Sequence, residues 1–356
     1  MYKKKDKFKT IGSQMRIKNI KVNDIDDIDY FESSKDTRTK SSKRTKDKGE
    51  QTLKTNVHLE SGRIVEVNSN YSYKVNLCGD VKKCFLSGRL KYLDHDTRNP
   101  ITVGDYVNVE ISDLKNIRIE EILLRKNALS RFIEKKEVLL AANIDQVVIV
   151  VSVKEPDFIS TLIDRYITVA EISNIPVIIC INKIDLLAEL VEIKDECAYY
   201  ENCGYKLVYT STVNNTGIDS LRELLKDKDS LFTGHSGTGK SSIINAIEPS
   251  LNLKTKEVSV HNKGTHTTTN SSMIAWSFGG YLVDTPGIKT IGLCLNDLEY
   301  LPLCFPGFGK YKKKCAFSDC SHTHEENCVI KEKVNSADIP IKRYNSYIKM
   351  RSELRG

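Results

Sequence analysis

The pattern of apolar and polar positions divides the chain into parts with different periods. From residue 57 to residue 128, apolar and polar residues alternate in short stretches such as GRIVEVNSNYSYKVNL and ITVGDYVNVEIS. A period of two is typical of strands that bury one face. Five short strands in about 70 residues predict a small closed β-barrel of the OB type. The barrel is interpreted either as lacking a ligand or as carrying a basic, aromatic face formed by Tyr71, Tyr73, Lys82, Lys83, Arg89 and Lys91.

Between residues 145 and 300 the period changes. The continuous apolar runs QVVIVVSV and IPVIICI predict buried parallel strands, while ISTLIDRYITVAEISN and IDSLRELLKD have the period of helices. Strands that alternate with helices predict a doubly wound, mostly parallel α/β sheet. Such a sheet binds its ligands at the carboxyl ends of the strands. Near the C-terminus, IPIKRYNSYIKMRSEL predicts a helix that closes a separate domain.

The stretch GHSGTGKS has the G-x-x-x-x-G-K-S pattern of a phosphate-binding loop. An apolar strand precedes it and a helical segment follows, so backbone N–H groups and the helix N-terminus are expected to face an anion. Lys240 is expected to contact the β- and γ-phosphates, and the Ser241 hydroxyl to bind Mg²⁺. The nucleotide is predicted to contact the whole loop: Gly234, His235, Ser236, Gly237, Thr238, Gly239, Lys240 and Ser241.

A second motif, DTPG, follows the apolar stretch YLV. Asp284 is placed to hold Mg²⁺ through a water molecule, and the Gly287 N–H to sense the γ-phosphate. By itself this tetrapeptide is a weak turn signal. Its position at a strand end, downstream of a phosphate loop, makes it specific.

A third motif, NKID, predicts which base is bound. The Asp185 carboxylate can accept hydrogen bonds from N1–H and the 2-amino group of guanine, and adenine lacks this pair of donors. Lys183 can lay its stem along the base, and Asn182 can tie this loop to the phosphate loop. In YTSTVNNTG, the backbone of Ser211 and Thr212 is predicted to contact the guanine O6.

The order of these motifs is unusual. In most GTPases the phosphate loop comes first and N-K-x-D comes fourth, whereas here NKID precedes the phosphate loop. This order predicts a circularly permuted GTPase domain, in which the same contacts form although the chain is cut elsewhere. The termini of compact domains often lie close together, so a fold accommodates such a rearrangement readily.

A Cys/His cluster follows in CAFSDCSHTHEENC. Cys315, Cys320, His322 and Cys328 have the spacing C-x₄-C-x-H-x₅-C, and three thiolates with one imidazole suit a closed tetrahedral Zn²⁺ site. His324 is a spare histidine that is not expected to be a ligand. Because four protein ligands leave no open position, one structural zinc ion is predicted.

Composition changes this picture in two respects. The net charge of +7 comes from residues 1–56, which hold 16 Lys and Arg against 9 Asp and Glu. This segment is interpreted either as a disordered, solvated extension or as an arm that contacts RNA phosphates. The apolar runs are too short to span a bilayer, and the first residues lack the apolar core of a signal peptide. A cytoplasmic protein without membrane contact is expected, in which clustered Cys and His bind metal more often than they form disulfides.

Taken together, NKID, GHSGTGKSS, GTHTTTN, DTPGIKTIGL and the Cys/His segment resemble the RsgA family of circularly permuted GTPases, which assist maturation of the small ribosomal subunit. The resemblance extends over residues 57–350. It implies a hydrolase that cleaves the phosphoric anhydride of GTP, binds the small (30S) subunit and its rRNA late in assembly, and is stimulated by that subunit. It also implies Mg²⁺ bound with GTP and the zinc motif noted above. A monomer is expected.

In this family, GTHTTTN lies where switch I belongs, between the phosphate loop and DTPG. Thr268, or else Thr267, is expected to complete the Mg²⁺ coordination, and both are expected to contact GTP. Ile288 stands where many GTPases carry a glutamine that orients the attacking water. His266 is the candidate for that role, so the predicted catalytic residues are His266, Lys240 and Thr268.

The predicted organisation is multidomain. It comprises a basic disordered extension (1–56), an OB-fold RNA-binding domain (57–128), a circularly permuted α/β P-loop GTPase domain (129–296) and a zinc-binding α-helical C-terminal domain (297–356). Two other functions compete with a GTP hydrolase. One is an RNA-binding assembly scaffold that uses GTP as a structural ligand without significant turnover. The other is a P-loop ATPase or kinase, which NKID disfavours.

Overall fold

The computed structural model describes residues 58–68, 71–92, 97, 99–133, 136–253, 271–285, 293–311 and 314–355. Several predicted features lie outside the described residues, namely the extension 1–56 and His266, Thr267, Thr268, Gly287 and Ile288. Within the described ranges, no helix is both long enough and apolar enough to cross a lipid bilayer.

The first described part is a five-stranded barrel. Its elements are β1 (Leu59–Asn68), β2 (Ser72–Leu77), β3 (Asp80–Leu86), α1 (Gly88–Tyr92), β4 (Tyr106–Glu110) and β5 (Arg118–Ile122). The long strand β1 pairs with both β2 and β4, and β5 pairs with both β3 and β4. These pairings close the sheet on itself, which confirms the predicted barrel.

Alternate residues of the strands fill the barrel interior. Ile64, Val75 and Val107 are fully buried there. Tyr73 belongs to the same cluster, so the expectation that it lies on an exposed basic face is wrong. It shares the inward parity of Val75 and Leu77 on β2, because alternate residues of a strand face the same side. Burial of its phenol raises the pKa of Tyr73 to about 12.

The second part is a six-stranded sheet. Its strands are β8 (Gln146–Ser152), β9 (Val177–Asn182), β10 (Lys206–Tyr209), β11 (Lys228–Thr233), β12 (Ser271–Ala275) and β13 (Gly280–Asp284). They lie in the order β10-β9-β8-β11-β13-β12, and every neighbouring pair except β12–β13 is parallel. All residues of β8 and β9 are buried, which accounts for their continuous apolar sequence. The predicted doubly wound sheet is confirmed.

Helices cover both faces of this sheet. They are α2 (Ser160–Ile172), α3 (Val191–Asn202), α4 (Ile218–Leu225) and α5 (Lys240–Ile247). Strand β8 shows how the two faces separate. Val147, Ile149 and Val151 join a cluster with α2 and α3, whereas Val148 and Val150 join one with α4 and α5. The alternation of a strand thus supplies both cores of the layered domain.

Two features of the fold are absent from the sequence predictions. First, β6 (Ala128–Ile133) and β7 (Lys136–Ala142) form an antiparallel hairpin that follows the barrel. Second, β12 pairs with β1 of the barrel as well as with β13, so that Glu66 lies opposite Ser272. The barrel and the six-stranded sheet therefore form one hydrogen-bonded sheet of 11 strands.

The third part is a small C-terminal domain of turns and helices. Its helices are α6 (Leu301–Cys304), α7 (Val329–Asn335) and α8 (Ile341–Arg355). The rings of Phe305, Phe308 and Tyr347 pack against one another in its core. Helix α8 confirms the predicted C-terminal helix. Its buried residues recur at helical spacing: Arg343, Ser346, Tyr347 and Met350.

A buried ion pair joins α8 to α2. Asp164 is fully buried and Arg343 nearly so, and the guanidinium Nη1 donates to Asp164 Oδ2 over 2.9 Å. Tyr200 of α3 donates to the other carboxylate oxygen over 2.8 Å. Burial raises the pKa of Asp164 to about 6, although the charge of Arg343 opposes the shift. The carboxylate therefore needs its partner, because an unpaired buried charge is strongly destabilising.

A glycine of β1 beside the barrel core allows a test of the fold. Gly62 of β1 lies opposite Val107 of β4. A Cβ at this position would lie 2.4 Å from Leu77 Cδ2 and 2.6 Å from Val75 Cγ1. We expect Gly62→Ala to lower the free energy of unfolding by about 1–3 kcal/mol, because a packed core must shift to accept the methyl group. Denaturant titration followed by circular dichroism measures this change.

Gly88→Ala is the matched control. A Cβ at Gly88 meets no atom within 4 Å, and this residue begins α1. The control is expected to be neutral or slightly stabilising, because alanine restricts the unfolded chain more than glycine does. Equal stability of the two variants would contradict the close packing of Gly62 against Val75 and Leu77.

Candidate functional site

The carboxyl ends of adjacent parallel strands form one edge of the sheet, and the predicted nucleotide motifs lie there. Asn182 ends β9, Thr233 ends β11 immediately before the phosphate loop, and Asp284 ends β13. Strand β8 lies between β9 and β11, so its last residue, Ser152, shares this edge. Parallel strands end at a common edge whatever their order in the chain, so the motifs meet despite that order.

The phosphate loop leaves β11 through glycines in a left-handed or otherwise restricted conformation. The φ angles of Gly234, Gly237 and Gly239 are 142°, 84° and 90°. A Cβ at Gly234 would lie 2.1 Å from the carbonyl oxygen of Val150, and one at Gly239 would lie 2.3 Å from Asn182 Nδ2. Only glycine fits these two positions, and this backbone lets successive N–H groups turn toward an anion.

Lys240 and Ser241 begin α5, and both are buried. The Lys240 ammonium donates to the carbonyl oxygens of Gly234 over 2.8 Å and His235 over 2.7 Å, so it lies inside the curve of the loop. The positive end of the α5 dipole points to the same place. The loop thus combines a held cation, a glycine-rich backbone and a helix N-terminus, which together favour phosphate binding.

Asn182 joins the phosphate loop to NKID. Its Nδ2 donates to the carbonyl oxygen of Thr238 over 2.9 Å, and its Oδ1 accepts from Thr210 Oγ1 over 3.0 Å. All three residues are buried. The predicted tie between the two loops is therefore present. Sequence reasoning missed Thr210, whose hydroxyl holds the amide in the orientation that aims its N–H group at the loop.

Asp185, Ser211 and Lys183 lie beside this tie. Asp185 is exposed, and one of its carboxylate oxygens accepts a hydrogen bond from the hydroxyl of Ser211, which is fully buried. Thr212, the next residue, is half-buried. Lys183 adopts a left-handed backbone conformation with φ 62°. The structure thus brings the predicted base-recognition residues together, and the buried Ser211 hydroxyl holds the exposed carboxylate of Asp185.

The loop of residues 153–159, here called the β8–α2 loop, also belongs to this site. The Lys183 ammonium donates to the carbonyl oxygen of Glu155. Pro156 Cδ lies 3.4 Å from the Cβ position of Gly237 in the phosphate loop. Sequence reasoning missed this loop because VKEPDF matches no motif. Its position directly after a strand of the parallel sheet is the one signal that points to it.

Asp284 and Thr285 are the described residues of DTPG. Asp284 is half-buried and Thr285 is buried. Strand β13 pairs with β11, with Val283 opposite Leu231. This register places the Asp284 carboxylate beside the strand that leads into the phosphate loop, which is the position that a Mg²⁺-binding carboxylate requires.

Cys315, Cys320, His322 and Cys328 converge in the C-terminal domain. Their ligand atoms all lie within 4.8 Å of one another. His322 Nδ1 is 3.3 Å from Cys328 Sγ and 3.6 Å from Cys315 Sγ. Three thiols and one imidazole at these distances fit a tetrahedral metal ion. His324 is exposed and lies outside the cluster, as predicted for the spare histidine.

Side chains around His322 hold this cluster in place. Tyr347 OH donates to the carbonyl oxygen of Ser321 over 2.6 Å, and Tyr344 OH to that of His322 over 2.9 Å. Glu325 accepts from the Ser321 N–H over 2.6 Å. Burial by itself would raise the pKa of Glu325, but hydrogen bonds from its neighbours outweigh it and lower the pKa to about 2. Helix α8 and an ionised carboxylate thus brace the ligand loop.

The side chains predicted to form a basic, aromatic face of the barrel have different local partners. Tyr71 is exposed, and Lys91 Nζ lies 5.7 Å from the centre of its ring. Lys83 lies beside Phe85, 5.3 Å from the ring centre. Lys82 Nζ lies 2.5 Å from a carboxylate oxygen of Asp80, and Arg89 Nη2 lies 3.7 Å from one of Glu120. Part of the positive charge is therefore already paired.

The chain is similar to known proteins of one family. The RsgA GTPase family matches residues 122–294. The small ribosomal subunit biogenesis GTPase RsgA of Flavobacterium johnsoniae is 39% identical over 283 residues, which is 76% of this chain and 86% of the relative. The protein of the same name from Bacteroides fragilis is 38% identical over 283 residues, covering 76% and 90%.

Two solved structures have the same architecture. The crystal structure of YjeQ from Thermotoga maritima has a TM-score of 0.66 and 35% identity, and the alignment covers 84% of this chain and 99% of that one. YloQ, described as a circularly permuted GTPase, has a TM-score of 0.62 and 28% identity, with coverage of 85% and 97%. The permuted order inferred from the motifs agrees with these folds.

Proposed function

The chain belongs to the RsgA GTPase family, and on this basis we propose that it is a GTP hydrolase that binds the small ribosomal subunit and assists its late maturation. The observation that carries the proposal is the hydrogen bond from Asn182 to Thr238, which joins the base-recognition motif to the phosphate loop. If the glycine-rich stretch were an ordinary turn that binds no nucleotide, its link to a base-recognition motif would have no explanation. The names of the relatives supply the ribosomal partner.

In this proposal the exposed carboxylate of Asp185 accepts two hydrogen bonds from guanine. Ser211 holds one oxygen of that carboxylate, which reduces the freedom it loses on binding. Lys183 covers the base, and the backbone of Ser211 and Thr212 contacts O6. Adenine would leave the carboxylate without its donors, so the site discriminates by leaving a polar group unpaired. This geometry disfavours a P-loop ATPase or kinase.

The phosphates occupy the loop from Gly234 to Ser241. Lys240 and the loop N–H groups stabilise negative charge on the β- and γ-phosphates, because phosphoryl transfer is catalysed mainly by positioning and electrostatics. The Ser241 hydroxyl and the Asp284 carboxylate are oxygen ligands of the type that Mg²⁺ prefers, and Thr268 would join them. When bound, Mg²⁺ adds positive charge at the phosphate oxygens.

The remaining roles fall on residues of the switch segments. We assign orientation of the attacking water to His266, because Ile288 follows DTPG and cannot form a hydrogen bond through its side chain. Gly287 senses the γ-phosphate through its N–H. Thr267 contacts GTP beside Thr268. These four assignments rest on sequence position.

We assign the metal of the C-terminal domain as one structural Zn²⁺ ion. The donor set supports this, because Cys315, Cys320, His322 and Cys328 supply four ligands and leave no open position for catalysis. The ion would fix the turns between α6 and α7. A small domain with few helices gains much of its stability from such a site.

The rest of the proposal concerns partners and location. The exposed pair Tyr71 and Lys91 supports contact between the barrel and rRNA, through base stacking and phosphate attraction. The basic extension 1–56 would add further phosphate contacts. We propose a monomer that acts in the cytoplasm, where small subunits are assembled.

The proposal is tested by GTP turnover with and without purified small ribosomal subunits. A GTP hydrolase of this kind should be stimulated severalfold by small subunits and not by large ones. The competing function is an RNA-binding assembly scaffold in which GTP is a structural ligand. Tight GTP binding without turnover, in the presence of small subunits, would favour the scaffold and contradict the hydrolase.

Base recognition is tested at Asp185. Asp185→Asn should weaken GTP binding by about 10²-fold or more, because an amide cannot accept both guanine donors. Xanthosine triphosphate, whose 2-oxo group can accept from the amide, should bind relatively better. Nucleotide titration measures both affinities. Asp195→Asn, at an exposed position on α3, is the control and should leave both unchanged. Unaltered GTP affinity in Asp185→Asn would remove this assignment.

The metal is tested by elemental analysis and by Cys320→Ser. Native protein should contain about one equivalent of zinc, and the variant should lose it and unfold its C-terminal domain at lower temperature, because metal binding and folding are coupled. Cys78→Ser replaces an exposed cysteine of the barrel and should keep the zinc. Absence of zinc from native protein purified without chelator would refute the assignment.

A further inference from the structure

Helix α2 begins without a capping side chain of its own. Its N-cap residue is Ile159, which makes no side-chain hydrogen bond to the first turn. Ser, Thr, Asp or Asn is usual at this position, because the side chain can then accept from the unpaired N–H groups. The N-cap side chain therefore does not hold the start of α2.

Polar side chains of α8 and α3 contact other groups of the first turn of α2. Arg343 donates to Oγ of Ser160, the first residue of α2, and to Asp164 one turn later. The Tyr200 hydroxyl lies 3.1 Å from the carbonyl oxygen of Ser160 and 2.8 Å from Asp164 Oδ1. All four residues are buried. A guanidinium carried by the C-terminal domain thus fixes the first turn of a helix in the GTPase domain.

The same turn anchors one end of the β8–α2 loop. The other end leaves β8 at the centre of the parallel sheet. Between these anchors, the Glu155 carbonyl oxygen accepts from Lys183, and Pro156 Cδ lies 3.4 Å from the position that a Cβ of Gly237 would take. A displacement of Ser160 would move a loop that contacts the base-recognition motif and lies beside the phosphate loop.

We propose that Arg343 is a positioning residue for the guanine-nucleotide site, acting through Ser160 and the β8–α2 loop. The inference rests on the proposed nucleotide site. It adds that nucleotide affinity depends on how the C-terminal domain docks against α2. Coupling between two sites is reciprocal, so bound nucleotide also stabilises that docking. A partner that grips the C-terminal domain can therefore change nucleotide affinity without touching the nucleotide.

The test is the affinity and release rate of GDP for the full chain. Arg343→Met should weaken GDP binding by about tenfold, a typical size for coupled sites, mainly through faster release. At saturating GTP, kcat should fall by less than about twofold, because the loop positions bound nucleotide in ground and transition state alike. The measurements are made well below the unfolding temperature, on protein with full zinc content.

Ser160→Ala keeps the test valid if Arg343→Met does not fold. It removes the hydrogen bond from Arg343 to Ser160 Oγ, and the one that Ser160 Oγ donates to Glu196 over 3.2 Å, but leaves Arg343 paired with Asp164. GDP affinity should fall by about threefold or more, and the variant should stay folded at the temperature of the assay because Arg343 keeps Asp164 and Tyr200 as partners. A residue with a purely structural role would not weaken GDP binding in a variant that stays fully folded.

Two controls match the two variants. Arg125→Met breaks another buried ion pair, with Asp105 in the barrel, where side-chain exposures are 7% and 0%. Arg165→Gln removes the exposed ion pair with Glu353, which joins the same helices α2 and α8 away from the β8–α2 loop. Both controls should bind GDP as the unmodified chain does.

The outcomes separate the inference from the proposed function. If the unmodified chain binds GDP and Arg343→Met and Ser160→Ala bind it equally well, the inference is overturned and the nucleotide site stands. If Arg125→Met weakens GDP binding as much as Arg343→Met, the effect is general destabilisation and the inference is overturned. If the unmodified chain does not bind GDP, the proposed function itself fails.

Discussion

The backbone pairing of β8 with β9 and β11 is the constraint on which the site depends. Ser152 lies opposite Asn182, and Ile149 lies opposite Thr233, so the three strands reach one edge in fixed register. A slip by one residue would exchange the two buried faces of β8, which pack against different helices. The phosphate loop and the NKID loop therefore begin at strand ends whose positions are fixed by the packed cores on both faces of the sheet.

Because the pairing of neighbouring strands defines the site, the permuted order of the chain is physically acceptable. Strand neighbours, not chain order, decide which loops meet, and Asn182 then ties two of them together. Helix α4 ends at Leu225 and β11 begins at Lys228, so a short connection suffices where other GTPases have their termini. At the β12 edge the sheet continues into β1, so the barrel is part of the same sheet.

The C-terminal domain is held by two interactions of different kinds. Inside it, the Cys/His cluster joins the turns between α6 and α7 beside the apolar core that contains Phe305, Phe308 and Tyr347. Between domains, Arg343 and Asp164 form an ion pair that adds little stability over an apolar contact but is strongly destabilising to break. Such a pair favours one docked orientation over others. The orientation of the C-terminal domain matters because Arg343 also contacts Ser160 at the start of α2, and the β8–α2 loop that precedes Ser160 lies beside the nucleotide site.

Local chemistry in the sequence determines much of this protein. Alternation predicts the barrel, apolar runs predict the parallel strands, and the spacing of glycines and of Cys and His predicts the phosphate loop and the metal cluster. Tertiary packing decided the rest. Tyr73 turned inward and Tyr71 outward, and Asp164 met Arg343 across 179 positions of the chain. Hydrophobic periodicity and motif spacing are local features of the sequence. They therefore do not indicate which distant side chain will pair with a buried charge.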